Sequence, residues 1–153
     1  MKNIILEPIA FVQSSRKVIK DDDWGEVLAE IQLVEQIQAD AFDGIDTFSH
    51  LEIIFYFHQV KAEKIRWGAA YPRGNTDFPK MGIFAQRKKS RPNLIGTTMV
   101  ELIERKERII VVKGLDAIEG TPVLDIKPVM REFLPKTAIQ QPNWATELMR
   151  NYW

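Results

Sequence analysis

Apolar residues along the chain recur in short blocks, and few blocks have a helical period. Residues 4–14 are rich in Ile, Leu, Phe and Val and predict a strand. From Val27 to Ile37 the apolar positions are Val27, Ala29, Ile31, Leu33 and Ile37. Their period is near two as far as Leu33, which predicts a strand, with a helix as the competing assignment. Gly44 marks a loop after it. Leu51–Phe57 reads LEIIFYF, an apolar and aromatic run suited to a buried strand. Met81–Gln86, Leu94–Glu104, Arg108–Lys113 and Val123–Ile126 predict four more strands. Glu104–Glu107 is the polar turn between two of them, and Pro128 ends the last. Residues 66–80 carry Gly68, Pro72, Gly74, Asn75 and Pro79 with little periodicity, which predicts a long loop. The tail NWATELMRNYW places Trp144 and Leu148 four apart, with Asn143 as N-cap, and predicts a short amphipathic helix. Many short strands and one short helix make an all-β domain, a barrel or a sandwich.

Length and composition narrow this picture only a little. At 153 residues the chain reads as one domain, residues 1–153, large enough to bury a core without staples. Hydrophobic content is 45% and charged content 27%, as in ordinary globular proteins. The absence of Cys excludes a disulfide framework and a thiolate metal site, and no metal is expected. The start, MKNIILEPIAF, is too polar and short for a membrane span and lacks a small-residue cleavage site, so no membrane association and a cytoplasmic location are expected. Net charge is zero, with 21 basic and 21 acidic residues, whereas a dedicated nucleic-acid binder is usually basic. The charge is nonetheless segregated. Asp21-Asp22-Asp23 is an acidic run, and Arg87, Lys88, Lys89 and Arg91 form a basic one.

That basic run directly follows the apolar Ile83-Phe84-Ala85, within MGIFAQRKKSRPN, Met81–Asn93. A strand leading into such a turn presents fixed cations to an anionic or polar ligand. Arg87 can pair bidentately with a carboxylate. Lys88, Lys89 and Arg91 are either phosphate contacts or a solvated face. Pro92 restricts Arg91 to extended geometry. His58 and Gln59 stand where the Leu51–Phe57 run meets a loop; they hydrogen-bond a ligand there or simply end the strand. Asp116, in Gly114-Leu115-Asp116, is a ligand carboxylate or a turn residue. Asp125 lies within the apolar GTPVLDIKP, Gly120–Pro128, where an acid is costly unless paired. Lys127 shares its face, so an ion pair is favoured over catalysis. Asp116, Glu119 and Asp125 are the carboxylates of this region that could take a proton from an amine. Trp24 is a stacking platform or a cap on the core.

These blocks together resemble the TrmO family, also called YaeB-like or TsaA-like, of S-adenosyl-L-methionine-dependent tRNA methyltransferases. Gly82–Gly96 is similar to the family's G-V/I-F-A-T-R-S-x-x-R-P-N-P-I-G, with Gln86 in place of Thr and Leu94 in place of Pro. Leu115–Pro128 is similar to its L-D-x-x-D/E-G-T-P-V-L-D-I-K-P. Phe48-Ser49-His50 and Phe57-His58-Gln59 match its F-S-H and F-H-Q elements, and Pro8–Ser14 its opening strand. In the F-S-H element Ser49 and His50 read as holding a turn. The resemblance covers residues 4–130 in order. The family's P-G-L segment is replaced here by DDDWGEV. Many members carry a further C-terminal domain used for tRNA, and this sequence reads as the short form.

The resemblance implies a β-barrel, a homodimer and a bound S-adenosyl-L-methionine. It implies donor contacts at His58, Gln59, Arg87, Thr97, Gly114, Leu115 and Asp116, that at Thr97 through its backbone. It further implies methylation at N6 of threonylcarbamoyladenosine next to the anticodon of tRNA, with Lys88, Lys89 and Arg91 as RNA contacts and Asp116 or Asp125 as catalytic candidates. Methylation of a small molecule and a non-catalytic donor-binding domain are the alternatives. Methyl transfer from a sulfonium needs positioning rather than a covalent nucleophile, which suits a chain with two His and no Cys. Eight Phe, four Trp and three Tyr exceed what a narrow barrel interior holds, so Trp144, Tyr152 and Trp153 are expected outside it, on a dimer face.

Overall fold

A computed structural model describes residues 3–153. Six antiparallel strands close into a barrel: β1 Ala10–Ser14, β2 Leu28–Leu33, β3 His50–Tyr56, β6 Ile95–Lys106, β7 Ile109–Lys113 and β8 Pro122–Pro128. A separate two-stranded ribbon pairs β4, Ala69–Ala70, with β5, Met81–Gly82. Around the barrel the order is β1-β2-β7-β6-β3-β8. The all-β barrel expectation is therefore met, and the strand assignment of β2 prevails over a helix.

Alternation decides which face is inside. Ile53 and Phe55 point inward from β3, Ala29, Ile31 and Leu33 from β2, and Ile110 and Val112 from β7, each at most 4% exposed. Leu115, Ala117 and Phe42, from outside the strands, join the same buried cluster. The seam between β1 and β8 has only two register pairs, Ala10 with Val123 and Phe11 with Pro122. It is prolonged by loop hydrogen bonds from Val12 N–H to the Thr121 carbonyl (3.0 Å) and from Gly120 N–H to the Val12 carbonyl (2.8 Å). Glu119 serves this seam, accepting from the Ser14 N–H at 2.5 Å.

Four expectations are corrected. The first strand starts at Ala10 rather than residue 4, and Ile4 and Ile5 are exposed because no neighbouring strand reaches them. Met81–Gln86 is a strand only over Met81–Gly82. It then turns through a 3-10 helix, Ile83–Ala85, because Ile83 and Gln86 are both buried, a spacing of three rather than two. Residues 66–80 are not a structureless loop, since they hold β4 and the 3-10 turn Pro72–Gly74. The tail helix α1, Asn143–Leu148, forms as expected, but Pro142 rather than Asn143 occupies its N-cap, with no side-chain cap. Among the described residues no helix is long and apolar enough to cross a membrane.

The end of β3 and the start of β6 meet at Tyr56 and Ile95. Residues 57–94 leave the barrel between them. The junction is held by packing of aromatic rings on a glycine. A Cβ on Gly96 would lie 2.6 Å from Phe55 Cε2 and 2.8 Å from Phe57 Cζ, with Phe55 only 1% exposed. The two rings pack edge to face at 5.3 Å. Gly96→Ala is expected to destabilise by about 1–3 kcal/mol through overpacking, or about 2–4 °C of thermal midpoint per kcal/mol. Gly82→Ala, where nothing lies within 4 Å, is the control and should leave the midpoint unchanged in the same calorimetric scan.

Candidate ligand-binding cleft

The β3–β6 end of the barrel opens into a cleft of ≈ 1600 Å³. Phe55, Phe57, His58 and Gln59 enter it from the end of β3, and Ile95–Met99 from the start of β6. Asp116, Ala117 and Ile118 come from the β7–β8 connection. Residues from 84–93 form the rim of the cleft, and α1 with Tyr152 and Trp153 adds further lining.

Of the residues singled out from the sequence, His58, Gln59, Arg87, Lys88, Lys89, Arg91, Thr97 and Asp116 line this cleft together. Gly114 and Leu115 do not. Leu115 is fully buried in the core, and Gly114 makes the turn before it at φ 81°, donating its N–H to the Val27 carbonyl at 2.9 Å. Asp125 lies outside the cleft, in a 2.5 Å ion pair with Lys127 on a half-exposed face. Glu119 is committed to the β1 seam. His50 is also away from the cleft, its Nδ1 2.7 Å from Ser49 Oγ at the start of β3.

The rim is wired by its own side chains. Gln86 is 8% exposed and donates to the Ala70 and Met81 carbonyls at 2.9 and 2.8 Å, holding the β4–β5 ribbon. Arg91 donates to the Gln86 carbonyl at 2.9 Å and is extended, at φ −118° and ψ 161°. Its guanidinium therefore supports the turn. Arg87 is exposed and donates to the Thr97 carbonyl at 2.5 Å, tying the rim to β6. A guanidinium has five N–H donors, so most of them remain for a ligand. Thr97 Oγ1 donates to Glu52 at 2.9 Å.

Asp116 is held in the cleft by two side-chain hydroxyls. Its carboxylate accepts from the hydroxyl of buried Thr98 and from the hydroxyl of Tyr152. Burial, and then the neighbouring Asp116 charge, push the Tyr152 phenol far above its ordinary value, so it stays protonated as a donor. Two of the roughly four lone-pair sites of the carboxylate remain open. Tyr152 was expected on a dimer face, and the sequence gives no sign of its pairing with Asp116. The tail that carries it is fastened by hydrogen bonds from Asp23 and Trp24 N–H to the Asn151 and Tyr152 carbonyls (2.9 and 2.8 Å). Gly25 lies under Trp153, where a Cβ would come within 2.8 Å of its carbonyl carbon.

Trp24 is 3% exposed, with the Arg16 guanidinium 4.2 Å from its ring centroid and its indole N–H on the Lys20 carbonyl at 3.2 Å. It forms part of the cleft floor, with one ring face already covered. The acidic run is fully engaged with cations: Asp21 with Lys89 at 3.7 Å, Asp22 with Arg73 at 2.8 Å and Asp23 with Lys20 at 2.6 Å. Two of these pairs fasten the rim to the segment before β2.

A closed barrel with one broad, mixed polar and apolar cleft at a strand-end junction defines a ligand-binding barrel. The family model of the tRNA-methyltransferase O N-terminal domain matches residues 19–133. The chain belongs to the TrmO family. It is 43% identical over 89 residues to a probable S-adenosyl-L-methionine-binding protein of Methanothermobacter thermautotrophicus, covering 58% of this chain and 61% of that one. It is 46% identical over 99 residues to the tRNA (adenine(37)-N6)-methyltransferase of Escherichia coli, covering 61% of this chain and 41% of that enzyme. The crystal structure of TrmO from Pseudomonas aeruginosa superposes with a TM-score of 0.74 at 25% identity, over 94% of this chain and 63% of that one. The chain thus matches about two fifths to three fifths of the length of these relatives.

Burial lowers the His58 pKa below its ordinary 6.5 and outweighs the Tyr56 carbonyl, which raises it. The imidazole is therefore neutral near pH 7. A depressed folded value means that the unfolded chain binds the proton first on acidification. Stability linked to His58 is complete above pH 6.5 and is lost as pH falls through the lower folded value. Guanidinium melts should show wild type losing stability relative to His58→Gln between neutral pH and about pH 5. A gain over that interval would refute the burial of this imidazole.

Proposed function

We propose that the chain is an S-adenosyl-L-methionine-dependent methyltransferase that methylates tRNA at N6 of threonylcarbamoyladenosine beside the anticodon. The observation that carries this reading is the convergence of Arg87, His58, Thr97 and Asp116 on one cleft of a TrmO-family barrel. Its relatives in Methanothermobacter and Escherichia coli are named for donor binding and for tRNA adenine methylation, which supports both halves of the proposal. The cleft volume, ≈ 1600 Å³, exceeds what a single small ligand fills and suits a donor beside a protruding acceptor.

The residues present fit the donor. Arg87 offers a planar fork for its carboxylate, Asp116 two free lone-pair sites for an ammonium or ribose hydroxyl, and His58 and Gln59 further hydrogen-bonding groups. Phe57 and Trp24 supply apolar wall. When bound, the donor supplies an electrophilic methyl group on a sulfonium whose departure leaves a neutral thioether. The protein's part is to hold the acceptor nitrogen in line and exclude water. The proton released by that nitrogen needs an acceptor; our candidate is Asp116, a cleft carboxylate with lone-pair sites still open. Asp125 is spent on Lys127.

The remaining proposals concern assembly and place. We assign the chain as one domain of a cytoplasmic homodimer. The tail aromatics face their own cleft. Exposed apolar residues of the segment after β8, among them Phe133 at 83% and Ile139 at 75%, are our candidates for a two-fold face instead. Light scattering at micromolar concentration should give twice the chain mass, and Phe133→Ser with Ile139→Ser should give the single chain mass. A wild-type monomer would remove the dimer from this reading.

Titration calorimetry with S-adenosyl-L-methionine tests the site. Wild type should bind, and Arg87→Ala should weaken binding by about 1.5–3 kcal/mol, the range for a charged hydrogen bond. Arg87→Lys should recover only part of the loss, because it lacks the fork. No heat and no thermal shift with millimolar donor would overturn the reading.

A further inference from the structure

The chain is neutral as a whole, but one segment is far from neutral. Residues 60–91 contain nine Lys or Arg against only two acids, Glu63 and Asp77, so the rest of the chain is correspondingly acidic. This segment lines part of the cleft, through Val60, Pro72–Gly74, residues 84–89 and Arg91. It also carries two of the most exposed aromatic rings, Trp67 at 76% and Phe84 at 79%.

These features are brought together by backbone hydrogen bonds. Ile83 N–H donates to the Gly68 carbonyl at 3.1 Å, so Trp67 and Phe84 flank a single bond of the β4–β5 ribbon. Arg66 N–H donates to the Ser90 carbonyl at 3.0 Å, which sets Arg66 beside the basic turn. Arg66 and Lys89 both depress the pKa of Lys88, after burial, as crowded cations must. Among the described residues the Arg66 guanidinium makes no hydrogen bond or ion pair.

We propose that this rim binds an unpaired RNA strand, with Trp67 and Phe84 stacking on bases and Arg66, Lys88 and Lys89 tracking the phosphates. The choice of RNA rests on the tRNA-modifying reading above. The surface itself rests on charge and exposed rings. Exposed rings interleaved with cations are what a single strand requires, because its base faces are open. A duplex hides those faces. A second copy of this chain is disfavoured, since a two-fold contact through this rim would set cations against cations. The strand would lie along the lip of the cleft, and one base could turn inward past Phe84, which also lines the cleft.

The test is fluorescence anisotropy with a fluorescein-labelled oligoadenylate of about 8 nucleotides, within the usual site size of a strand-binding domain. Trp67→Ala and Phe84→Ala should each weaken binding about 5- to 150-fold, the range for one lost stack, with little change in salt dependence. Lys88→Ala with Lys89→Ala should instead flatten the log–log salt slope by about 1.4, for two lost phosphate contacts on a single strand. Unchanged oligomer affinity in the Trp67→Ala, Phe84→Ala double variant would overturn the proposal. So would a change in its molecular mass by light scattering, which would make the rim a self-association face. Donor calorimetry on wild type and Trp67→Ala separates this from the catalytic reading. Oligomer binding without donor heat removes the methyltransferase and leaves the surface. Donor heat without oligomer binding does the reverse.

Discussion

The contact of the Phe55 and Phe57 rings with Gly96 fixes the junction at which the functional wall leaves the barrel. β3 delivers His58 and Gln59 immediately beyond that contact, and β6 delivers Thr97 and Thr98 immediately after it. Because the two strands are antiparallel, the residues leaving one and entering the other lie side by side. A side chain at position 96 would spread them. The long excursion of residues 57–94 starts and ends at this junction, so the polar groups at its base are set by the sheet. A rigid sheet carries the positions, and the excursion carries the charge.

The second constraint is the shared carboxylate of Asp116. It is held by a hydroxyl from β6 and a hydroxyl from the tail, so three distant parts of the sequence meet at one acid. A carboxylate within a cleft is costly unless its lone pairs are occupied, and here two are filled before any ligand arrives. The arrangement also explains Gly25, which lets the Trp153 backbone pass close enough for Tyr152 to reach inward. The tail is thus part of the cleft wall, with Tyr152 turned inward and Trp153 still 60% exposed.

Much of this was legible in the residues. The period-two run marked β2 and the dense apolar run marked β3, because inward positions on a closed barrel take mainly apolar side chains. The Asp125–Lys127 pair followed from their shared face. The strand-end position of His58 and Gln59 and the basic turn at Arg87–Arg91 put them at the rim. What escaped was set by tertiary contacts. Met81–Gln86 looks like a strand by composition, but Gln86 is drawn inward by carbonyls of Ala70 and Met81, and the chain must turn to let it in. Ile4 and Ile5 are apolar yet have no strand to pair with. The partners of Asp21 and Asp22 are the distant Lys89 and Arg73, and no local pattern predicts such pairs.

Those distant pairs bear on how an overall neutral protein can engage a polyanion. Net charge describes the far field, whereas a strand lying on a surface feels charges within about a Debye length, roughly 8–10 Å at physiological salt. Within the 60–91 wall the charge is strongly positive, and the compensating acids are mostly elsewhere. Asp21 and Asp22 neutralise only Lys89 and Arg73, at the inner edge of the wall. Half-exposed pairs of this kind add little stability, about 0–1 kcal/mol each. Their effect is positional. They tie a wall rich in like charges to the barrel, which its own repulsion would otherwise push outward. An incoming phosphate chain would compete with Asp21 for Lys89, and so meet a cation already held near its working position.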